Sequence, residues 1–163
     1  MLVLGAYDAV RRRWDGGYAM FRSILVAVDG SKSSGDALAV AVDLAKKYNA
    51  TICLLHAFPH VSDLLGTPQY EHLLEARSMI GEALLESMRE QIPNDIKADL
   101  QLIEGPAAPA ILRVADEDGF DLIVLGSRGQ GQLAGMLLGS VSNVVAQRAK
   151  CPVMIVHGLP PHR

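Results

Sequence analysis

The chain has 163 residues, half of them hydrophobic and a fifth charged, with a formal net charge of −3. This is enough apolar sequence for one globular domain, and it excludes a disordered polar chain. A net negative charge gives no general attraction to nucleic acid or anionic membranes, so a phosphate-bearing ligand needs a local site of backbone N–H groups and a few cations.

Residues 1–19, MLVLGAYDAVRRRWDGGYA, match no clear element and are expected to form a flexible N-terminal extension that folding does not require. Their apolar part precedes Arg11–Arg13 and no small-residue cleavage site follows, which makes a poor signal peptide. No apolar run approaches the ~20 residues of a membrane helix, so a cytoplasmic protein without membrane insertion is expected. Met20 opens MFRSILVAVDGS and reads as an alternative start and the natural beginning of a domain over 20–158, with 159–163 as a tail.

SILVAVD (23–29) predicts a buried strand bounded by Gly30. SSGDALAVAVDLAKKYNA follows at helical spacing through Leu38, Ala41, Val42, Ala45 and Tyr48. Asp36 is expected in its first turn and Lys46 and Lys47 in its last, as the helix dipole favours, with Asn49 taking a left-handed end. TICLLHAF (51–58) is a second buried strand and PHVSDLLGTP a loop. A long helix from about Gln69 to Gln91 is expected to place Leu73, Ala76, Ile80, Leu84 and Met88 on one face. ADLQLIEG (98–105) is a third strand, more alternating and so nearer a sheet edge. APAILRVADEDG is a short helix ended by Gly119, and DLIVLG (121–126) is the fourth strand. A glycine-rich stretch, a helix through about Lys150 and the strand CPVMIVHG (151–158) complete the chain.

Buried strands alternating with helices imply parallel pairing, right-handed crossovers and helices on both faces. The expected fold is an α/β three-layer sandwich, an open parallel five-stranded sheet of order 3-2-1-4-5, Rossmann-like or flavodoxin-like. Ligands of such sheets bind beyond the carboxyl ends of the strands, where the strand order reverses. Asp29–Gly30, Ala57–Phe58 and Gly126–Ser127 sit at such ends. Cys53 and Cys151 lie in no CxxC pair and read as ordinary thiols of a reducing compartment. His60, His72, His157 and His162 share no metal-ligand spacing, and His56, inside an apolar strand, is expected to be a hydrogen-bonded core residue.

The segment from Gly126 to Ser140, GSRGQGQLAGMLLGS, has five glycines. Two phosphate motifs almost fit this chain. GSKSSGDA places Gly30 and Gly35 at P-loop spacing, but Asp36 and Ala37 replace the required Lys and Ser/Thr. GQGQLA (129–134) matches a loose dinucleotide pattern, but it follows the fourth strand, and no acid ends the next strand to hold a ribose. A third reading uses the whole stretch. Gly126, Gly129 and Gly139–Ser140 form a G-2x-G-9x-G-S pattern that resembles the motif of the ATP-binding branch of the universal stress protein family. ILVAVDGS, LLHAF and CPVMIV extend the resemblance over about residues 20–158.

The resemblance implies ATP as the ligand, with Mg²⁺ held through the phosphates. Gly126 and Gly129 would let the loop backbone approach the phosphates, with Ser127 and Arg128 beside them. Gly139 and Ser140 would open a helix whose unsatisfied N–H groups hold an anion, continued by Val141 and Ser142. Ser140 would cap that helix or donate to a phosphate, and Arg128 or Lys32 would reach the phosphates or remain solvated. Asp29 would accept from a ribose hydroxyl or only cap its turn. Ala57 would present backbone groups to the adenine, with Ala27 and Val28 flanking the base. The alternative, in which the glycines only make a tight turn and a flexible loop, stays open.

Three functions compete: a regulatory ATP-binding module, a nucleotide-processing enzyme, and a nucleotide-free dimeric scaffold acting through partners. Asp29 is the only acid near the expected phosphates, while Asp116, Glu117, Asp118 and Asp121 lie at the other end of the fourth strand. The SGGxDS and HIGH patterns of related enzymes are absent. At most, slow hydrolysis or autophosphorylation is expected, with no catalytic residue assigned. The scaffold branch lacks the glycine spacing found here. PVMIV (152–156) is apolar on both faces yet lies at a sheet edge, which invites pairing with another chain. The family pairs this strand across a two-fold axis, so a homodimer is expected, with a further protein partner left unidentified.

Overall fold

The computed structural model describes residues 20–60, 67–129 and 138–158. The N-terminal extension, the tail over 159–163, most of the loop after the second strand and the middle of the glycine-rich stretch lie outside the described residues. The elements are β1 (Ser23–Ala27), α1 (Lys32–Tyr48), β2 (Thr51–Phe58), α2 (Thr67–Arg89), β3 (Ala98–Glu104), α3 (Ala107–Glu117), β4 (Leu122–Gly126), α4 (Ser140–Arg148) and β5 (Val153–Val156). The five strands form one parallel sheet, as their alternation with helices predicts, in the expected order β3-β2-β1-β4-β5.

Successive strand side chains point to opposite faces, so each apolar run feeds two cores. Ile24, Val26, Ile52, Leu54, Leu122 and Val124 face one core, which Leu38 and Ala41 of α1 and Leu85 and Met88 of α2 complete. Leu25, Cys53, Leu55, Ile123 and Leu125 face the other, against Ile111 and Val114 of α3 and Val145 of α4. Burial on both faces is why β1, β2 and β4 read as unbroken hydrophobic runs. β3 is half-buried at the sheet edge, in keeping with its alternation.

Two helices differ in detail from expectation. α1 begins at Lys32 behind an N-cap, Ser31, whose side chain accepts from the Ser34 N–H. Its first turn therefore holds no acid. Asp36 lies one turn further on and pairs with Lys32 at 2.9 Å. At the other end Asn49 takes the expected left-handed conformation, with φ of 54°.

In α2, Leu84 and Met88 pack inward as expected. Leu73 and Ile80 do not: they are 38% and 70% exposed. Ala76 is exposed as well. Gly81 is buried and seats the helix on the sheet. A Cβ there would lie 2.5 Å from Leu102 Cδ1 and 3.2 Å from His56 Cδ2. The helix turns its glycine inward to make this close approach, which leaves an equally apolar strip outside.

Candidate functional site

β1 and β4 are neighbours, but their chains leave toward opposite faces of the sheet. Beyond their carboxyl ends lies a cleft of about 320 Å³. Apart from Ser127, all the predicted site residues line it: Ala27, Val28, Asp29, Ala57, Gly126, Arg128, Gly129, Gly139, Ser140, Val141 and Ser142.

The β1 side is set by a turn. Gly30 takes φ of 78°, a region L side chains avoid, and the chain swings into α1. Asp29 Oδ1 accepts from the Ser31 N–H at 3.0 Å and the Ser31 hydroxyl at 2.6 Å, so this aspartate does cap its turn. Its carboxyl also borders the cleft. His56 is half-buried and shares a 2.8 Å hydrogen bond between its Nδ1 and the Val28 carbonyl, the hydrogen-bonded role expected of it.

The two glycines after β4 do different things. A Cβ on Gly126 would lie 2.7 Å from the Ser33 carbonyl carbon and 2.8 Å from its oxygen. Gly126 is thus required by the close packing of β4 on the start of α1, before any ligand is considered. A Cβ on Gly129 would meet only the Asp29 side chain, 2.6 Å from Oδ2. Gly129 narrows the cleft against a side chain and not against backbone.

Ser127 lies behind the cleft wall. Its N–H donates to the Val156 carbonyl at 2.8 Å, and its own carbonyl accepts from the Gly139 N–H at 2.7 Å and the Ser142 hydroxyl at 3.2 Å. These bonds bring both ends of the glycine-rich stretch together. Ser142 is buried and bonds Gly139 as well, so its hydroxyl is a brace. Gly139 is the N-cap of α4 and offers no side-chain cap. Ser140 is the first helical residue, so of its two expected roles it does not take that of cap, and it lines the cleft. The N–H groups of Ser140, Val141 and Ser142 have no acceptor within the helix and carry the partial positive charge of its start.

Charge at the cleft is sparse. Among the described lining residues Asp29 is the acid and Arg128 the cation. Lys32 lines no part of the cleft and pairs with Asp36. No cluster of three His, Cys, Asp or Glu occurs among the described residues. Burial, followed by the nearby charges of Asp99 and Asp118, pushes the Cys53 thiol up to about 12, so it stays protonated and is no nucleophile.

The sequence reading missed the back wall: Ser34, Leu55, Ala107, Ile111 and Leu125. Its signal was strand parity. Leu125 pairs in register with Ala27, and Leu55 stands two residues before Ala57 on the same face. Ala107 and Ile111 are one helical turn apart on α3. The cleft thus joins an apolar pocket to a helix start rich in N–H groups.

Residues 20–157 match the universal stress protein family. A universal stress protein of Bacillus subtilis is 41% identical over 147 residues, which cover 84% of this chain and 99% of that one. One of Thermus aquaticus is 39% identical over 139 residues, with the same coverage of 84% and 99%. Among solved structures, UspA of Lactobacillus plantarum superposes with a TM-score of 0.75 at 23% identity, covering 84% of this chain and 98% of that one. A universal stress protein in complex with cAMP gives 0.66 at 29% identity, covering 85% and 98%. A family protein of Arabidopsis thaliana with AMP bound gives 0.64 at 21% identity, covering 85% and 92%. The motif, the strand order, the matched residues and the near-complete coverage of the relatives agree: this chain belongs to the universal stress protein family.

Proposed function

We propose that this protein is a regulatory module that binds ATP, and that it acts in the cytoplasm as a homodimer in a stress response. The observation that carries the reading is the junction of two surfaces in one cleft. The apolar pocket of Ala27, Ala57, Leu55, Leu125 and Ile111 suits a purine ring, and the start of α4 offers N–H groups to phosphates. A 29% identical neighbour in complex with cAMP and a more distant one with AMP bound support an adenine nucleotide.

In this reading Asp29 lies beside the ribose, with Gly129 and Arg128 bordering the phosphates. Mg²⁺ would be held mainly by phosphate oxygens and water. Asp29 is the one carboxylate among the described lining residues, and Ser31 already donates twice to its Oδ1. Backbone donors hold ground-state phosphates. Rapid catalysis needs stabilisation that appears only in the transition state. Turnover is therefore expected far below the ~1 to 10³ s⁻¹ common for enzymes.

The test begins with the mass of any nucleotide released on denaturing the purified protein. Calorimetry then ranks ATP, ADP, AMP and cAMP. Preference for ATP supports the reading, preference for cAMP or AMP corrects the ligand, and no binding by any of them overturns it. For the dimer, Lys at both Val153 and Ile155 is expected to yield a monomer in sedimentation. A wild type that is monomeric at high concentration refutes that part.

A further inference from the structure

We propose that the N-terminal arm, residues 1–19, docks on the outer face of α2. That face carries a strip of exposed apolar side chains: Leu73 is 38% exposed, Met79 64% and Ile80 70%. Glu75, Glu82 and Glu86 recur at spacings of seven and four around Met79, along the border of the strip away from Leu73 and Ile80. All three are exposed and form no ion pair among the described residues. An apolar strip with acids along one border fits a basic, apolar partner. A second copy's α2 does not fit, because two-fold pairing sets the same acids against each other.

The arm has the complementary chemistry. Arg11, Arg12 and Arg13 are contiguous, with Trp14 after them and Leu2, Val3 and Leu4 before. It also starts from the correct side. The chain enters the domain through Phe21, which packs on the core that α1 and α2 cover and meets Tyr48 edge-on at 5.5 Å. α2 runs antiparallel to the strands in its crossover, so its C-terminal end lies at the amino end of the sheet, where the arm begins. The arm's 19 residues reach roughly 60 Å when extended. α2, with 23 residues, is about 35 Å long. The covalent link supplies the arm at high effective concentration, so weak contacts suffice.

Hydrogen exchange over residues 71–86 tests this in the full chain. Deleting 1–19, or the triple change Arg11→Glu, Arg12→Glu and Arg13→Glu, is expected to speed exchange there at least roughly tenfold, equivalent to about 1.4 kcal/mol of docking. The α1 amides should not change. Adding Glu75→Lys and Glu82→Lys to the reversed arm is expected to restore protection. The charge-reversed arm keeps the test decisive even where the shortened chain folds poorly. Unchanged exchange in both variants overturns the proposal, as does protection that disappears on dilution, which would assign the face to another molecule's arm.

Discussion

At the amino end of the sheet Asp121 ties β1 to β4. Its Oδ2 accepts from the Arg22 and Ser23 N–H groups at 3.0 and 3.1 Å and from the Ser23 hydroxyl at 3.2 Å. The Asp121 N–H in turn donates to the Ser23 carbonyl at 3.0 Å. At the carboxyl end the same two strands part around a cleft. There Asp29 Oδ1 caps its own turn through Ser31, and the N–H groups opening α4 lack intrahelical acceptors. One end meets its polar groups' demands from within the chain, and the other leaves donors for a ligand. An acid near a strand end is therefore no guide to function until its partners are known.

Gly126 and Gly129 divide along the same line, and substituting them separates stability from binding. Gly126→Val is expected to have the largest effect, a loss of at least about 3 kcal/mol of stability, because its side chain meets the Ser33 backbone. Denaturant unfolding checks this, and a near-native midpoint would show that β4 and α1 can separate freely. Gly129→Val is expected to leave the midpoint within about 1 kcal/mol but to weaken ATP at least roughly 100-fold, about 2.7 kcal/mol, since it meets only the Asp29 carboxyl and fills the cleft. Calorimetry on a variant whose circular dichroism matches the wild type reads it.

At the closed end Asp121→Ala is expected to cost about 2 kcal/mol of stability, typical for losing hydrogen bonds to a charged group, with nucleotide affinity unchanged once the variant is folded. A matching loss of affinity would mean that the two ends are coupled through β1 and β4. Ser140→Ala is expected to weaken ATP by about 1 kcal/mol, one net hydrogen bond, without altering the unfolding midpoint. Cys53 makes stability depend on pH only in alkaline solution. Burial raises the folded thiol from 9.0 to about 12, so the neutral form is favoured in the fold. Its contribution is complete below about 9 and is lost progressively as pH rises toward about 12, because the unfolded chain ionises first. Chemical denaturation across that window should show the decline, and Cys53→Ala should flatten it.

Local periodicity determined the five strands and four helices of the described residues, their parallel pairing and the ends at which a cleft opens. These follow from chain-neighbour rules: runs buried on both faces, helical spacing, and crossovers of one hand. The glycine spacing placed the motif, and strand ends placed Ala27 to Asp29 and Ala57. Only the tertiary structure decided which of two apolar faces α2 turns inward, because Leu73 and Ile80 are as hydrophobic as Leu85. The face turned inward carries Gly81, whose missing Cβ allows close contact with Leu102 and His56. It also decided that Gly126 serves packing, that Ser127 and Ser142 are braces, and that Leu55, Ala107 and Ile111 form the cleft's back wall. Each of these depends on a distance between residues far apart in the chain. Spacing along a sequence carries no information about such distances until the sheet brings the residues together.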